Sequence, residues 1–533
     1  MISLNFTKMS KTLFNVGDRV GVNDYIGTVR YKGPVENAKG EYYGVEWDQI
    51  NRGKHNGTHL GKSYFTTRNN ETSATFIKAK IIHPASTCLE AIKDKYGQVD
   101  DELAGVEYSE AFIGNQQSGK DVSIELVGMK KVNDLQSQFS TLRVVAVQNS
   151  LVYGEEDSQA LGQFIPSVEE LDLSGNLMSS WSTVANIIKH LNKLTMLYLS
   201  DNRLVYVEDD EELIKPAFQN IRSLILNAMS MTWDEVLLCS PLWMDIRELH
   251  LCRNSITEIP SAPNWQNLVL LNLSSNNLKT WTNVKPFAKL PMLQELLLVE
   301  CQLTDIIVDG GDFPSLQSLY LNDNKISEWV HIGQLHKLST LTDIVFMRNP
   351  VLERAPDDTN RQLVIAKIPS IIKHNGTRIE ALERKGAEID YTKMFGEMWI
   401  EQGSCLEITE AIQQFCLEHP TYLSLIKKWG APEKTEVVKS KPKSAIKDSL
   451  IEVTFVDLVT ESGKRVTKCI PDTMNVVKCR NLAIRLLGIK GVRCVVSYRA
   501  HQNGEEYEFE YDLRTVTYYG VQNGDEILLR QLS

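Results

Sequence analysis

Between residues 140 and 355 one spacing of apolar residues returns again and again. It reads Val168-x-x-Leu171-x-Leu173-x-x-Asn176-x-Met178 and then Leu194-x-x-Leu197-x-Leu199-x-x-Asn202-x-Leu204. The same frame starts at Ile246, Leu268, Leu316 and Leu341, bringing Asn254, Asn276, Asn324 and Asn349 to the shared asparagine position. Weaker copies start at Ile221 and Leu293, with Met229 and Cys301 in place of asparagine, and an atypical opening copy starts near Leu142. The step is about 22–27 residues, the length of one supersecondary unit and too short for an independent core. Copies of that size bury their apolar faces only by stacking, so this stretch is expected to form a solenoid.

The alternating leucines predict one short strand per copy, with inward side chains meeting those of the next coil. The asparagine amide suits the turn that follows, where it can satisfy backbone groups that would otherwise be buried unpaired. Cys301 is small and weakly donating, so it is expected to fill that place. Met229 has no such capacity, and the Ile221 coil is expected to be locally irregular. This pattern resembles the leucine-rich-repeat family, and residues 349–369 resemble the C-terminal cap of its intracellular members. Helical segments are expected from there to about Gly430. The side chains standing outward between the leucines would form the concave face: Asp172, Tyr198, Ile225, His250, Asn272, Leu297, Tyr320 and Val345. Five of these eight are aromatic or aliphatic, which marks an interface unless the helical flank or the cap covers them.

Residues 12–84 are punctuated by glycine from Gly17 to Gly61, with β-branched and aromatic runs between. That alternation reads as a small β-barrel with tight turns. From Asn51 to Lys80 six basic residues (Arg52, Lys54, Lys62, Arg68, Lys78, Lys80) stand against one acid, Glu71. A basic, aromatic surface on a chain of net charge −11 suits an acidic peptide. Gly53-Lys54-His55-Asn56-Gly57, followed by Gly61-Lys62-Ser63-Tyr64-Phe65 and Phe76-Ile77-Lys78, resembles the CAP-Gly family. That family has the signature Gly-Lys-Asn-Asp-Gly and grips acidic C-terminal tails ending in Glu-Glu-Tyr or Glu-Glu-Phe. The resemblance implies that Gly53, Lys54, His55, Asn56 and Gly57 meet the terminal carboxylate, with charge from Lys54 and Lys78 nearby. It also implies that Trp47, Phe65 and Phe76 bracket the terminal aromatic ring. Two positions depart from the signature. His55 keeps a hydrogen-bonding side chain and is typical of the tubulin-chaperone branch. Asn56 removes a negative charge, which leaves open an altered loop geometry or a groove that no longer binds tails.

Residues 431–448 are rich in lysine, serine and proline and read as a linker. Strand-like alternation follows at 450–456 and 464–470, helical spacing from Asn475 to Leu487 before Gly488, a strand at 492–498 and a closing strand from Gly524. This order resembles an α+β ubiquitin-like β-grasp. The chain stops at Gln531-Leu532-Ser533 without a terminal Gly-Gly, so docking rather than conjugation is expected. Glu505-Glu506-Tyr507 spells the peptide that a CAP-Gly groove prefers, but an internal copy lacks the free carboxylate, and a charged loop or edge strand is expected there.

Several function classes are set aside. Net charge −11, from 57 basic and 68 acidic residues, argues against general nucleic-acid binding. The nine cysteines are scattered singly with no zinc spacing, which predicts buried thiols in a reducing compartment and no metal. No apolar run reaches the length of a membrane span, and residues 1–11 read as a flexible leader rather than a secretory signal. The stretch from Gly114 through Gly119, Lys120 and Asp121 nearly matches a nucleotide-binding loop. Asp121 stands where a magnesium-holding hydroxyl belongs, however, and a strand-like run follows instead of a helix. No catalytic site and no cofactor are expected.

The chain is thus expected to be multidomain: leader 1–11, CAP-Gly barrel 12–84, connecting segment and N-cap 85–139, α/β leucine-rich-repeat solenoid 140–355, C-cap and helical segment 356–430, linker 431–448, and ubiquitin-like domain 449–533. This order is similar to that of the tubulin folding cofactor E family. The resemblance implies a cytoplasmic, cytoskeleton-associated, non-enzymatic protein that takes α-tubulin by its tail in the groove and by its body on the repeats. It implies assembly of the α/β heterodimer, and its disassembly, together with tubulin cofactors B, C and D, β-tubulin arriving with cofactor D. The ubiquitin-like domain would then meet another cofactor or the proteasome. The alternatives are a microtubule-end or cytoskeletal adaptor, against which the lack of coiled-coil heptads counts, and a proteasome-linked tubulin shuttle.

Overall fold

A computed structural model describes residues 13–49, 51–68, 72–97, 138–207, 211–404, 406, 412–432, 450–460, 463–489, 494–501, 504–509 and 514–531. The expected leader, the stretch from Gly114 to Asp121 and residues 433–448 of the expected linker lie outside the described residues. The fold divides into two compact units, residues 1–438 and 439–533.

The first unit opens with β1 (Arg19–Val22), β2 (Tyr25–Pro34), β3 (Glu41–Trp47), β4 (Thr58–His59), β5 (Lys62–Ser63) and β6 (Ala74–Ile77). Four of them form an antiparallel sheet in the order β1-β2-β3-β6, and β4 pairs only with β5. Among the described residues this sheet does not close. The expected barrel is therefore an open sheet with a separate hairpin, because the two-residue strands β4 and β5 are too short to bridge its edges. Val20, Val29, Tyr43, Val45, Trp47 and Ile77 form its core, joined by Leu177 and flanked by Leu151 and Tyr153 from the repeats. A short strand β7 (Ser86–Thr87) follows. Thr87 then caps the helix Cys88–Tyr96 in a reciprocal box with Glu90, satisfying two donors at the helix start.

The repeats supply β8 (Val144–Ala146), β9 (Val152–Gly154), and one three-residue strand per copy: β10 (Glu170–Asp172), β11 (Met196–Tyr198), β12 (Ser223–Ile225), β13 (Glu248–His250), β14 (Leu270–Asn272), β15 (Glu295–Leu297), β16 (Ser318–Tyr320) and β17 (Asp343–Val345). With β18 (Lys373–His374) and β19 (Thr377–Arg378) they make a sheet of order β19-β18-β17-β16-β15-β14-β13-β12-β11-β10-β8, parallel except for the final β18-β19 hairpin. The register stacks Leu171, Leu197, Leu224, Leu249, Leu271, Leu296, Leu319 and Ile344 side by side, all buried. Before them, β7 pairs with β9, and Cys88, Ala91 and Ile92 enter the same core, so the helix Cys88–Tyr96 covers the first coil.

The asparagines act as the turn chemistry predicts. Nδ2 of Asn324 donates to the carbonyls of Leu298 and Leu321, and Oδ1 accepts from the N–H groups of Cys301 and Leu303. Cys301 fills the asparagine position as expected, its Sγ 3.3 Å from the Leu273 carbonyl. The Met229 coil keeps full strand register on both sides, so its irregularity is confined to the turn, where Ala228 and Ser230 both have positive φ. The same doubling occurs at the other two copies without asparagine, with Leu151 after Ser150 and Gln302 after Cys301.

Beyond β17 the helices Asp357–Lys367, Ala381–Met394, Gly396–Glu401, Gln413–Glu418 and Tyr422–Trp429 pack around Tyr391, Trp399, Phe415 and Tyr422. Two buried histidines lie in this end of the unit. Burial, then the Lys367 ammonium, pushes His419 down to about 3. Burial, then Arg361, pushes His374 down to about 4, and neither of its ring nitrogens has a partner among the described residues. Both fold neutral and gain a proton on unfolding in acid. Their contribution is present above the ordinary histidine value of 6.5 and is lost as pH falls from there towards 4. The melting temperature is therefore expected to drop between pH 7 and pH 5, and His374→Leu, which has no hydrogen bond to lose, to flatten that slope. A slope unchanged by the substitution would place the acid sensitivity elsewhere.

The second unit holds β20 (Leu450–Asp457), β21 (Arg465–Pro471), β22 (Cys494–Arg499), β23 (Glu506–Glu508) and β24 (Glu526–Gln531), ordered β21-β20-β24-β22-β23 with β20 and β24 parallel at the centre. The helix Val476–Leu487 lies against them, capped by the Asn475 side chain and ended by Gly488 at φ +79°. This is the expected order with one strand more, β23. Glu506 of the Glu-Glu-Tyr run sits on that edge strand, paired with Arg530 and Arg499 of its own sheet.

Candidate functional site

The aromatic side chains of the small sheet converge on Phe76 in β6. Around its ring, at centroid distances of 4.7–6.2 Å, stand His55, Tyr64, Phe65, Tyr31 and His59. Edge-on contacts dominate, the arrangement that aromatic quadrupoles favour. Phe65 lies over Gly44, whose missing side chain makes room for the ring. The bowl's members are only half-buried, which leaves apolar surface open beside polar rims.

The Gly53–Gly57 loop borders this bowl and is tied down along its backbone. The Lys54 and His55 N–H groups both reach the Ala74 carbonyl, at 2.7 and 3.2 Å, and the Tyr64 N–H donates to the Gly57 carbonyl. His55 Nδ1 accepts from the Gly57 N–H at 3.0 Å, which places the proton of the neutral ring on Nε2. Burial, then repulsion from His59, holds His55 below the usual histidine range, so it is a neutral donor at pH 7. Asn56 Oδ1 accepts from the Thr58 hydroxyl at 2.6 Å and from its N–H at 3.3 Å. Asn56 thus closes this turn through a side-chain oxygen of the kind an aspartate also carries, without the charge.

Lys54 and Lys78 are exposed; Lys78 Nζ lies 5.3 Å over the Tyr42 ring, and Lys62 lies 5.3 Å over Tyr64. Arg52 is turned away onto Tyr25 and Trp47. Trp47 departs from the expectation that it brackets a ligand ring. It is 1% exposed in the core, with its indole N–H donated to Thr75, because β3 points Tyr43, Val45 and Trp47 to the inner face. Tyr31, Tyr64 and His59 are members that the sequence reading missed. Tyr64 and His59 flank the glycine-rich motif, which was the available signal; nothing local marked Tyr31.

On the repeats, Tyr198, His250, Leu297, Tyr320 and Val345 stand half-buried at the outward ends of their strands, while Ile225, expected beside them, is buried. Each strand has a second outward position two residues earlier, occupied in turn by Glu170, Met196, Ser223, Glu248, Leu270, Glu295, Ser318 and Asp343. Burial and neighbouring carboxylates push the Tyr198 and Tyr320 phenols up. Of the described cysteines, five are buried as expected, whereas Cys469 on β21 is exposed. Among the described residues no group of three metal-ligating side chains is found, and no helix is long and apolar enough to cross a membrane.

Residues 16–82 match the family described as CAP-Gly domain, and residues 245–303 the leucine rich repeat family. The chain is 36% identical over 515 residues to tubulin-specific chaperone E of Xenopus laevis, covering 94% of this chain and 96% of that one. It is 30% identical over 547 residues to tubulin-folding cofactor E of Arabidopsis thaliana, covering 98% and 99%. The solution structure of the C-terminal ubiquitin-like domain of mouse tubulin-specific chaperone e matches 18% of this chain and 96% of its own, at 28% identity and a TM-score of 0.15.

Proposed function

The chain belongs to the tubulin-specific chaperone E family, and from that premise we propose that it is a tubulin folding cofactor that captures α-tubulin through two surfaces. The acidic α-tubulin tail enters the aromatic bowl, its terminal ring against Phe76, Phe65 and Tyr64, and its carboxylates near Lys54 and Lys78. The tubulin body rests on the outward face of the repeats. The observation that carries this reading is the bowl around Phe76, bordered by a fixed loop whose lysine is free to reach a carboxylate. Two contacts on one ligand multiply through effective concentration, so neither has to be tight alone. The second unit, whose Glu506 is bound within its own sheet, is left to dock another folding factor.

Titrating the full chain with an α-tubulin C-terminal peptide tests the groove. Removing the peptide's final tyrosine, or substituting Lys54→Ala, is expected to weaken binding about tenfold, the loss of one charge-assisted contact or one ring. Equal affinity in all three titrations would retire the groove and leave tubulin recognition to the repeats.

A further inference from the structure

The parallel register stacks the outward positions of β10 to β17 in two columns, one led by carboxylates and one by aromatic and aliphatic groups. Five outward positions of these eight strands hold aspartate or glutamate, and none holds lysine or arginine. Among the described residues Glu170, Glu248 and Glu295 have no cationic partner, and Asp343 meets only Lys373 of β18, at 3.9 Å. Glu248 instead accepts from the Ser223 hydroxyl at 2.9 Å, while Glu170 and Glu295 lie near the Tyr198 and Tyr320 phenols and help to push them up; the Tyr198 hydroxyl itself donates to Met196 Sδ at 3.2 Å. Among the described residues these half-buried carboxylates are not neutralised by a cation. Their field therefore spreads over the apolar column beside them and persists where a solvated surface charge would be screened.

We propose that this face is a seat for a basic protein segment that also carries apolar side chains, so that the chain's two contact surfaces select opposite charges. Lysine or arginine side chains of the segment meet Glu170, Glu248, Glu295 and Asp343, and its apolar groups pack on Tyr198 and Tyr320. An acidic tail is repelled from this face and drawn to the groove bearing Lys54, which sorts the two parts of one ligand without a clash of registers. The proposal rests on the reading of the repeats as a second tubulin contact and adds what that contact recognises.

The test uses the full chain carrying Lys54→Ala, so that the groove does not take the acidic probe, and two synthetic peptides of one length with amidated C-termini, the first alternating lysine with leucine and tyrosine, the second with glutamate in place of lysine. The lysine peptide is expected to bind at least about tenfold more tightly and to weaken with added salt. Glu248→Lys with Glu295→Lys is expected to abolish that preference. Glu258→Lys with Glu353→Lys, which changes net charge equally at exposed positions off the strands, is expected to retain it. Equal binding of the two peptides, or equal loss in both double variants, overturns the proposal. Tubulin stripped of its tails by protease is titrated in parallel and is expected to follow the lysine peptide. If the lysine peptide selects the face while tail-less tubulin is not held, charge selection stands and the reading of this face as the tubulin contact fails.

Discussion

Replacing Asn324 with alanine is expected to destabilise the repeat array by about 3 kcal/mol, measured by urea denaturation of the full chain. The side chain is 5% exposed and makes five hydrogen bonds of 2.7–3.2 Å, three as donor and two as acceptor. Truncation leaves the Cys301 and Leu303 N–H groups without their acceptor in a dry turn, and each such group costs about 1–3 kcal/mol. The neighbouring coil cannot compensate, because its own asparagine position holds Cys301, whose thiol is already directed at the Leu273 carbonyl. Each coil contacts only its neighbours, so a fault between the Leu293 and Leu316 coils interrupts coupling along the array and is expected to lower the cooperativity of unfolding as well. Asn277→Ala, at an exposed position one residue past the ladder, is the control and is expected to stay within about 0.5 kcal/mol. A loss below about 1 kcal/mol for Asn324→Ala would mean that the turn relaxes or admits water, and that the asparagine ladder is not what fixes the coils.

The repeats were legible because a single side chain per coil carries each role: Leu319 faces inward, Asn324 closes the turn, and both recur at a fixed step. The chemistry of one degenerate copy was legible too, since a thiol can donate and Cys301 does so at the asparagine position, but the turn irregularity expected only of Met229 recurs at the Cys301 copy and does not separate the two. The outward face was only half read. A strand of three residues exposes its first and third side chains, and reading the third alone found Tyr198 and Tyr320 but passed over Glu170 and Glu295. In the small sheet, the motif gave the loop and Phe76, but the composition did not give the facing of the aromatics. Tyr43, Val45 and Trp47 alternate in β3 towards the core, while a register shift between Val29 and Tyr31 in β2 sets Tyr31 opposite Gly44 and towards the bowl. A bulge of that kind turns one side chain to the other face and leaves no local sequence mark. The barrel expected from glycine density is not confirmed, since the sheet stays open among the described residues: glycines permit turns but do not pair strand edges.

Gly57→Ala is expected to cost the groove at least about a hundredfold in affinity for the α-tubulin tail peptide, more than the tenfold loss expected of Lys54→Ala. Gly57 has φ +96°, a conformation in which a side chain is strained, and a Cβ built there would lie 2.0 Å from the Phe65 carbonyl oxygen and 3.1 Å from its ring. Either the loop or Phe65 must move. Movement of the loop breaks the hydrogen bond from the Gly57 N–H to His55 and the one from the Tyr64 N–H to the Gly57 carbonyl. Movement of Phe65 opens its contact with Phe76, 5.8 Å away between centroids, and uncovers Gly44. Both routes disassemble the bowl while leaving Lys54 exposed and charged, so the variant separates shape from charge. The apolar core of the small sheet, around Val20, Val45 and Trp47, is untouched by the substitution, and the melting transition of the first unit is expected to persist. A hundredfold loss with that transition intact would show that the preformed bowl carries the affinity and that the lysine only augments it. Equal losses in Gly57→Ala and Lys54→Ala would instead mean that attraction between the loop and an acidic tail suffices, with the aromatic bowl adding little to recognition.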